Sequence, residues 1–315
     1  MSVSAVEATR QLWSSGLANH TGKPGGGFHD WVKTATYAPN VNNSVLTLSG
    51  IDGYLVRKAL AADINRLALA ASETLKNISE VVGIPKSLGW PYVKLYYAAF
   101  FYAHTLLRIW GRSPSYFTTQ ELMRVKATLN AYDIAPPFRL STGQYLLELK
   151  QNAGFVQLSA DSSGQGSHEA AWKHFSAALK ELELLSNTAN YVEVDRINVI
   201  KQIQALLALI TDGGRHESWL SQIRNNIQYR QSGGVWFPYS SKEKISSFKG
   251  IVEGLTSATV DLNVYLEDEG SEIERFRNAC CCVILLARKT INSISEIGGR
   301  KSFLHYGQVR FENSL

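Results

Sequence analysis

Cysteine is scarce in this chain and poorly placed for chemistry. There are three in 315 residues, and they stand together at Cys280–Cys282. On a helix, three consecutive side chains point in three directions, so they cannot gather around one metal, and a vicinal disulfide is strained. Small buried thiols in a core helix, in a reducing cytoplasm, are the expectation. The short signatures of several familiar chemistries are also missing. There is no HExxH, no CxxC pair, no GxSxG, and no carboxylate ladder with di-iron spacing. Pro24-Gly25-Gly26-Gly27 has no strand pattern before it and no GKS/T after it, which excludes a phosphate-binding P-loop. The seven histidines are scattered, and His168 and His174, six apart, fall on different helix faces. No metal and no cofactor are expected.

Long apolar runs are absent too. The longest, Leu95 to Leu107, is interrupted by His104 and falls short of the roughly 20 residues that span a bilayer. It reads as a buried helix, with His104 bonded to a backbone carbonyl, and no membrane association is expected. The opening stretch MSVSAVEATRQLW lacks the basic start and apolar core of a secretory signal, so a cytoplasmic location is expected. Apolar residues at 45% against 19% charged suit a globular protein and exclude wholesale disorder. The net charge of +5 permits a polyanionic partner such as nucleic acid without requiring one.

What is present is helical periodicity. A short helix is expected over about Val3 to Ala18, then a glycine-rich loop at Gly22 to Gly27 and a helical turn near Trp31. Asn40 to Leu48 suits a short strand. From Gly53 to about Val82, Leu55, Ala59, Ala62, Leu67, Ala70 and Leu75 recur near a 3.6-residue period, and Gly83 with Pro85 ends the pattern. Tyr92 to Trp110 is apolar almost all round, as in a helix surrounded by others, and Gly111 and Pro114 stop it. Thr118 can cap a helix running to about Ala131, with Glu121 as its capping-box partner. Residues 138 to 160 alternate irregularly around Gly143 and Asn152 to Gly154, the mark of one or two small hairpins between helices. Helices resume over His168 to Leu185, Val192 to Ile210, Glu217 to about Gln231, Ser241 to Leu266 and Glu272 to Ile297. The expected fold is mainly α, a helical bundle with a small β-hairpin insertion.

One helix end stands apart. Ile223-Arg224-Asn225-Asn226-Ile227-Gln228-Tyr229-Arg230 leads into Gln231-Ser232-Gly233-Gly234 and the aromatic cluster Val235-Trp236-Phe237-Pro238-Tyr239. An arginine beside two asparagines offers enough hydrogen-bond donors to hold a phosphate. Arg224 and Gln228 share a helix face, as do Asn225 and Tyr229, whereas Arg224 and Tyr229, five apart, diverge by roughly 140° on an ideal helix. The competing explanation is structural: Arg224 and Asn225 bond loop carbonyls, and the aromatic cluster folds back over the core. His216 starts this helix, but its rise to Arg224 is about 12 Å, too far to share one small ligand. His305 lies near the C-terminus, and nothing in the sequence places it at this site.

With these residues in view, the chain resembles the HEPN superfamily. Those domains are helical bundles whose active members carry Arg-x(4–6)-His at a helix end, usually with a polar residue after the arginine. Arg224-Asn225 matches the start of that motif, and KLYYAAFFYAHTLLRIWG at Lys94 to Gly111 resembles the aromatic, alanine-rich helix of many members. The likeness covers about Gly50 to Ile297. It implies an N-terminal extension over 1–48 and a HEPN-like domain over 49–315 with an insertion at about 112–190. The expected histidine is replaced: positions 229, 230 and 231 are Tyr229, Arg230 and Gln231.

The resemblance implies a metal-independent endoribonuclease that assembles as a homodimer, in prokaryotic anti-phage defence or a toxin system with a partner protein. Arg224 would hold the scissile phosphate, Asn225 would orient it, and Tyr229 would occupy the histidine position. Asn226, Gln228 and Arg230 would contact the RNA. A phenol of ordinary pKa, about 10, is protonated at neutral pH and serves poorly as a general base. The alternative is therefore a catalytically inactive HEPN-like module that binds RNA, a nucleotide or a protein.

Overall fold

The periodic stretches fold as helices, and the irregular stretches between them pair as strands. In chain order the elements are α1 (Ala5–Ala8), α2 (Phe28–Thr34), β1 (Ala38–Asn42), β2 (Val45–Ser49), α3 (Gly53–Val81), α4 (Gly89–Ile109), β3 (Arg112–Phe117) and α5 (Met123–Ala131). They continue with β4 (Gly143–Lys150), β5 (Phe155–Ala160), α6 (Ser167–Thr188), α7 (Glu193–Thr211), α8 (Trp219–Arg230), α9 (Ile245–Ser257), α10 (Glu272–Gly298) and α11 (Gln308–Asn313). This computed structural model describes all residues except 1–3, 24, 43–44, 82–86, 151–153, 162–165, 238–244, 258–259, 267–269 and 314–315. The chain is mainly helical with a small antiparallel sheet. Two compact units divide it: one comprises Met1–Gln11, Leu67–Ala103 and Trp172–Ser293, the other Leu12–Arg66, His104–Ala171 and Ile294–Leu315.

The first unit is helical, and aromatic side chains of α4 fill its core. Tyr92, Tyr96, Ala99 and Ala103, one turn apart in succession, are all buried. The Tyr92 ring lies 5.0 Å from Phe248 of α9, and Tyr96 lies 6.2 Å from Phe276 of α10 and 6.0 Å from Trp172 of α6. The buried indole of Trp172 donates to the Tyr96 hydroxyl at 3.0 Å, which satisfies both polar tips. The three cysteines are free and fully buried on α10, as small thiols packed in a core helix should be. Burial pushes the thiols of Cys280 and Cys282 well above the usual range, which keeps them protonated and unreactive.

The second unit contains the sheet, in the order β1-β2-β5-β4-β3, every pairing antiparallel. Alternation along the strands buries Leu46 and Leu48 of β2, Tyr145 and Leu147 of β4, and Val156 and Leu158 of β5 on one face. Register brings Leu158 opposite both Leu46 and Leu147. Both edge strands carry a proline, Pro39 in β1 and Pro114 in β3, where a missing N–H leaves no central ladder bond unmade.

Several sequence expectations change here. The helix expected over Ser241 to Leu266 is α9, ending at Ser257, and a separate 3₁₀ turn at Leu262–Tyr265. The single strand at Asn40 to Leu48 is a two-stranded ribbon, and the hairpin of β4 and β5 joins it in one sheet instead of standing alone. Pro114 does not merely end a helix but lies within β3. The helix expected over Val3 to Ala18 is only α1 and a 3₁₀ turn at Thr9–Leu12. Farther along, the Ser14 N–H donates to the Ile109 carbonyl at 2.8 Å and Gly16 adopts φ 73°, neither of which suits a continuing helix. The stop at Gly83 and Pro85 lies outside the described residues, as do Asn152 and the residues from 241 to 244. Thr118 and Glu121 do exchange the capping bonds, at 2.8 Å and 3.2 Å, although regular helix begins only at Met123.

A buried carboxylate organises the glycine-rich loop of this unit. Asp63 accepts the Phe28 N–H at 3.0 Å and an Arg66 Nη2–H at 2.5 Å, and its Oδ2 lies 3.7 Å from Nε of buried Arg108. A Cβ on Gly27 would collide with Asp63 and Arg66, so only glycine lets α2 start this close to α3. His104 stands beside this group with its Nδ1 3.2 Å from Nη1 of Arg108.

Candidate functional site

The spacing of apolar residues on α8 decides where Arg224 goes. Leu220, Ile223 and Ile227 form the inward stripe, at i, i+3 and i+7, and Arg224 falls at i+4 of the same stripe. It is 6% exposed. Its guanidinium carbon lies 5.3 Å from the ring centroid of Tyr96 and 5.7 Å from that of Tyr97, both on α4. Such a cation over two aromatic faces is attracted by their negative quadrupoles. Nη1 donates to Oε1 of Gln228 at 3.3 Å, while Nε is buried without a hydrogen-bond partner among the described residues. No carboxylate of the described residues pairs with it. Burial pushes the Tyr96 phenol up to about 12, opposed by the Trp172 hydrogen bond and by the Arg224 charge.

Other side chains near the end of α8 face the other way. Tyr229 is 70% exposed, Arg230 is exposed, and Asn225 and Asn226 are half-buried. The helix ends at Gln231, a non-glycine residue in the left-handed conformation at φ 50°, whose N–H bonds the Asn226 carbonyl. Ser232 adds its N–H and its hydroxyl to the same carbonyl, each at 3.1 Å. Asn226 therefore contributes its backbone to the helix stop, in addition to whatever its side chain does.

Gly233 and Gly234, at φ 87° and 67°, then reverse the chain. The reversal brings the Val235 carbonyl to the Leu88 N–H at 2.9 Å and the Trp236 indole N–H to the Ile227 carbonyl at 2.8 Å. Trp236 packs against Gly89, where a Cβ would collide with its ring, and stands edge-on to Trp90 at 5.8 Å. Phe237 and Trp90 remain 62% and 53% exposed. Pro238 and Tyr239 lie outside the described residues.

The sequence-expected residues thus separate into two groups. Arg224 and Gln228 bond to each other at the buried side, and Tyr229 with Arg230 occupies the exposed side. Four participants were missed: Tyr96, Tyr97, Trp90 and Gly89, all on α4. The tyrosine pair Tyr96-Tyr97 in the most apolar helix was the available signal, because adjacent residues on a helix cover two faces of whatever sits beside them. Among the described residues, no three His, Cys, Asp or Glu side chains gather as a metal site, and no helix is long and apolar enough to cross a membrane. Comparison with protein-family models, with curated proteins and with solved structures returned no match.

Proposed function

We propose that the protein is a HEPN-like module that binds single-stranded RNA without cutting it, through the exposed end of α8 and the loop behind it. One observation carries this reading. Arg224 is buried against two tyrosine rings, while Tyr229 and Arg230 project into solvent from the same helix. Cleavage of the HEPN kind needs the arginine and the base on one phosphate, and these two side chains diverge. What stays exposed suits binding: aromatic rings on which bases stack, at ~1–3 kcal/mol per base, and a guanidinium for the backbone. The net charge of +5 favours a polyanion. The nuclease reading, with Arg224, Asn225 and Tyr229 as the reacting set, would require the end of α8 to rearrange until Arg224 reached solvent, so it has less support. Binding of a labelled single-stranded RNA in EDTA, with gel analysis for cleavage, tests the choice. Intact bound RNA is the expected result, and cleavage that depends on Arg224 would reverse it.

A further inference from the structure

A second surface of the helical unit has the features of a small-molecule site. A cavity of about 780 Å³ lies among the N-terminal segment, α7, the 3₁₀ turn at Leu262–Tyr265 and α10. That is within the ~300–1,000 Å³ usual for ligand pockets. Among the described residues, most of those lining it are polar, with Val6 and Leu262 as the apolar ones and no aromatic ring.

The acceptors and amides of the cavity are largely engaged already. Glu7 accepts the Ser4 N–H at 2.9 Å in the capping box of α1, and Asp261 accepts the Asn263 N–H at 2.8 Å. Gln202 accepts the Ala5 N–H and donates to Oδ1 of Asn263, each at 2.9 Å, which ties α7 to the segments on both sides of it. Donors remain uncommitted. The ammonium groups of Lys201 and Lys289 have no carboxylate partner among the described residues, and neither does the side-chain amide of Asn198 bond to any of them. Asn198, Lys201 and Gln202 share one face of α7 at i, i+3 and i+4.

We infer that this cavity binds a small phosphorylated sugar. Two free ammonium groups and an amide suit a compact anion. Glu7 and Asp261 keep lone pairs that can accept sugar hydroxyls, and their charges disfavour a polyphosphate or a nucleic-acid backbone. No ring of the described residues lines the cavity for a nucleobase to stack on. None of these residues belongs to α8, so the inference is independent of RNA binding.

Calorimetric titration of the protein with ribose 5-phosphate, and separately with ribose and with inorganic phosphate, is the test. Ribose 5-phosphate should bind more tightly than either fragment, and Lys201→Gln and Lys289→Gln should each weaken it about tenfold. Lys201 is exposed, so its variant folds normally, as circular dichroism would confirm, and carries the test even if Lys289→Gln does not fold. Failure of ribose 5-phosphate to bind overturns the inference. So does inorganic phosphate or ribose binding as tightly, or wild-type affinity in Lys201→Gln.

Discussion

The Arg224 guanidinium lies 5.3 Å from the centroid of the Tyr96 ring, buried and without a carboxylate partner among the described residues. This contact makes Arg224 part of the fold of the helical unit. Replacement by methionine, which keeps the apolar stem and discards the charge, should change stability by less than about 1.5 kcal/mol, because no ion pair is broken. Alanine should cost about 2–3 kcal/mol through the lost packing. Urea denaturation of both variants checks this; methionine as damaging as alanine would mean that the charge itself is needed.

Alkaline pH should weaken the protein through its buried phenols. Burial raises Tyr96 and Tyr265 to about 12 in the folded state. The unfolded chain releases these protons near pH 10, the folded protein only near 12, so the stabilisation is complete below pH 10 and is lost as pH rises toward 12. Tyr265→Phe should make denaturation midpoints fall less steeply across that window. An identical slope in the variant would remove Tyr265 from the explanation.

Gln231 holds a left-handed conformation that favours glycine. The strain, ~1–2 kcal/mol, outweighs the extra freedom that glycine gives the unfolded chain, ~0.4–1 kcal/mol. Gln231→Gly should therefore stabilise by about 0.5–1 kcal/mol, read as a raised thermal midpoint. A lowered midpoint would show that the Gln231 side chain makes a contribution larger than the strain.

Asp63 holds the start of α2 and faces a buried arginine. Asp63→Asn keeps an acceptor for the Phe28 N–H at 3.0 Å but leaves Arg108 without its carboxylate at 3.7 Å. Leaving a buried charge unmatched costs ~3–5 kcal/mol when the full pair is broken, and about 2–3 is expected at this longer separation. Chemical denaturation measures the loss, and a change under 0.5 kcal/mol would show that solvent reaches Arg108.

The helices were legible because a buried face repeats every 3.6 residues over many turns. Glu272 to Ile297, for instance, matches α10, which ends at Gly298. The β4–β5 hairpin was legible as well, from its turn residues, but the five-stranded sheet was not, since it pairs residues near 46 with residues near 158, and such register leaves no local trace. Pro114 read as a helix stop because its place on an edge strand is settled only by β4 beside it. At the candidate site, the glycine reversal and the folded-back Trp236 could be seen in advance. The burial of Arg224 could have been seen as well: Leu220, Ile223 and Ile227 set a stripe that includes it, but its charge drew attention outward. The cavity was missed because its groups come from four stretches far apart in sequence, around Ser4, Asn198, Asp261 and Lys289.

Fluorescence anisotropy of a labelled single-stranded RNA, in EDTA and across a salt series, tests RNA binding at α8 most directly. The proposed module binds with an affinity that falls as salt rises, leaves the RNA intact, loses about tenfold or more in the Tyr229→Ala/Arg230→Ala double variant, and keeps near wild-type affinity in Arg224→Met. Cleaved RNA in the wild type that stays whole with Arg224→Met would contradict it, and so would binding untouched by loss of Tyr229 and Arg230.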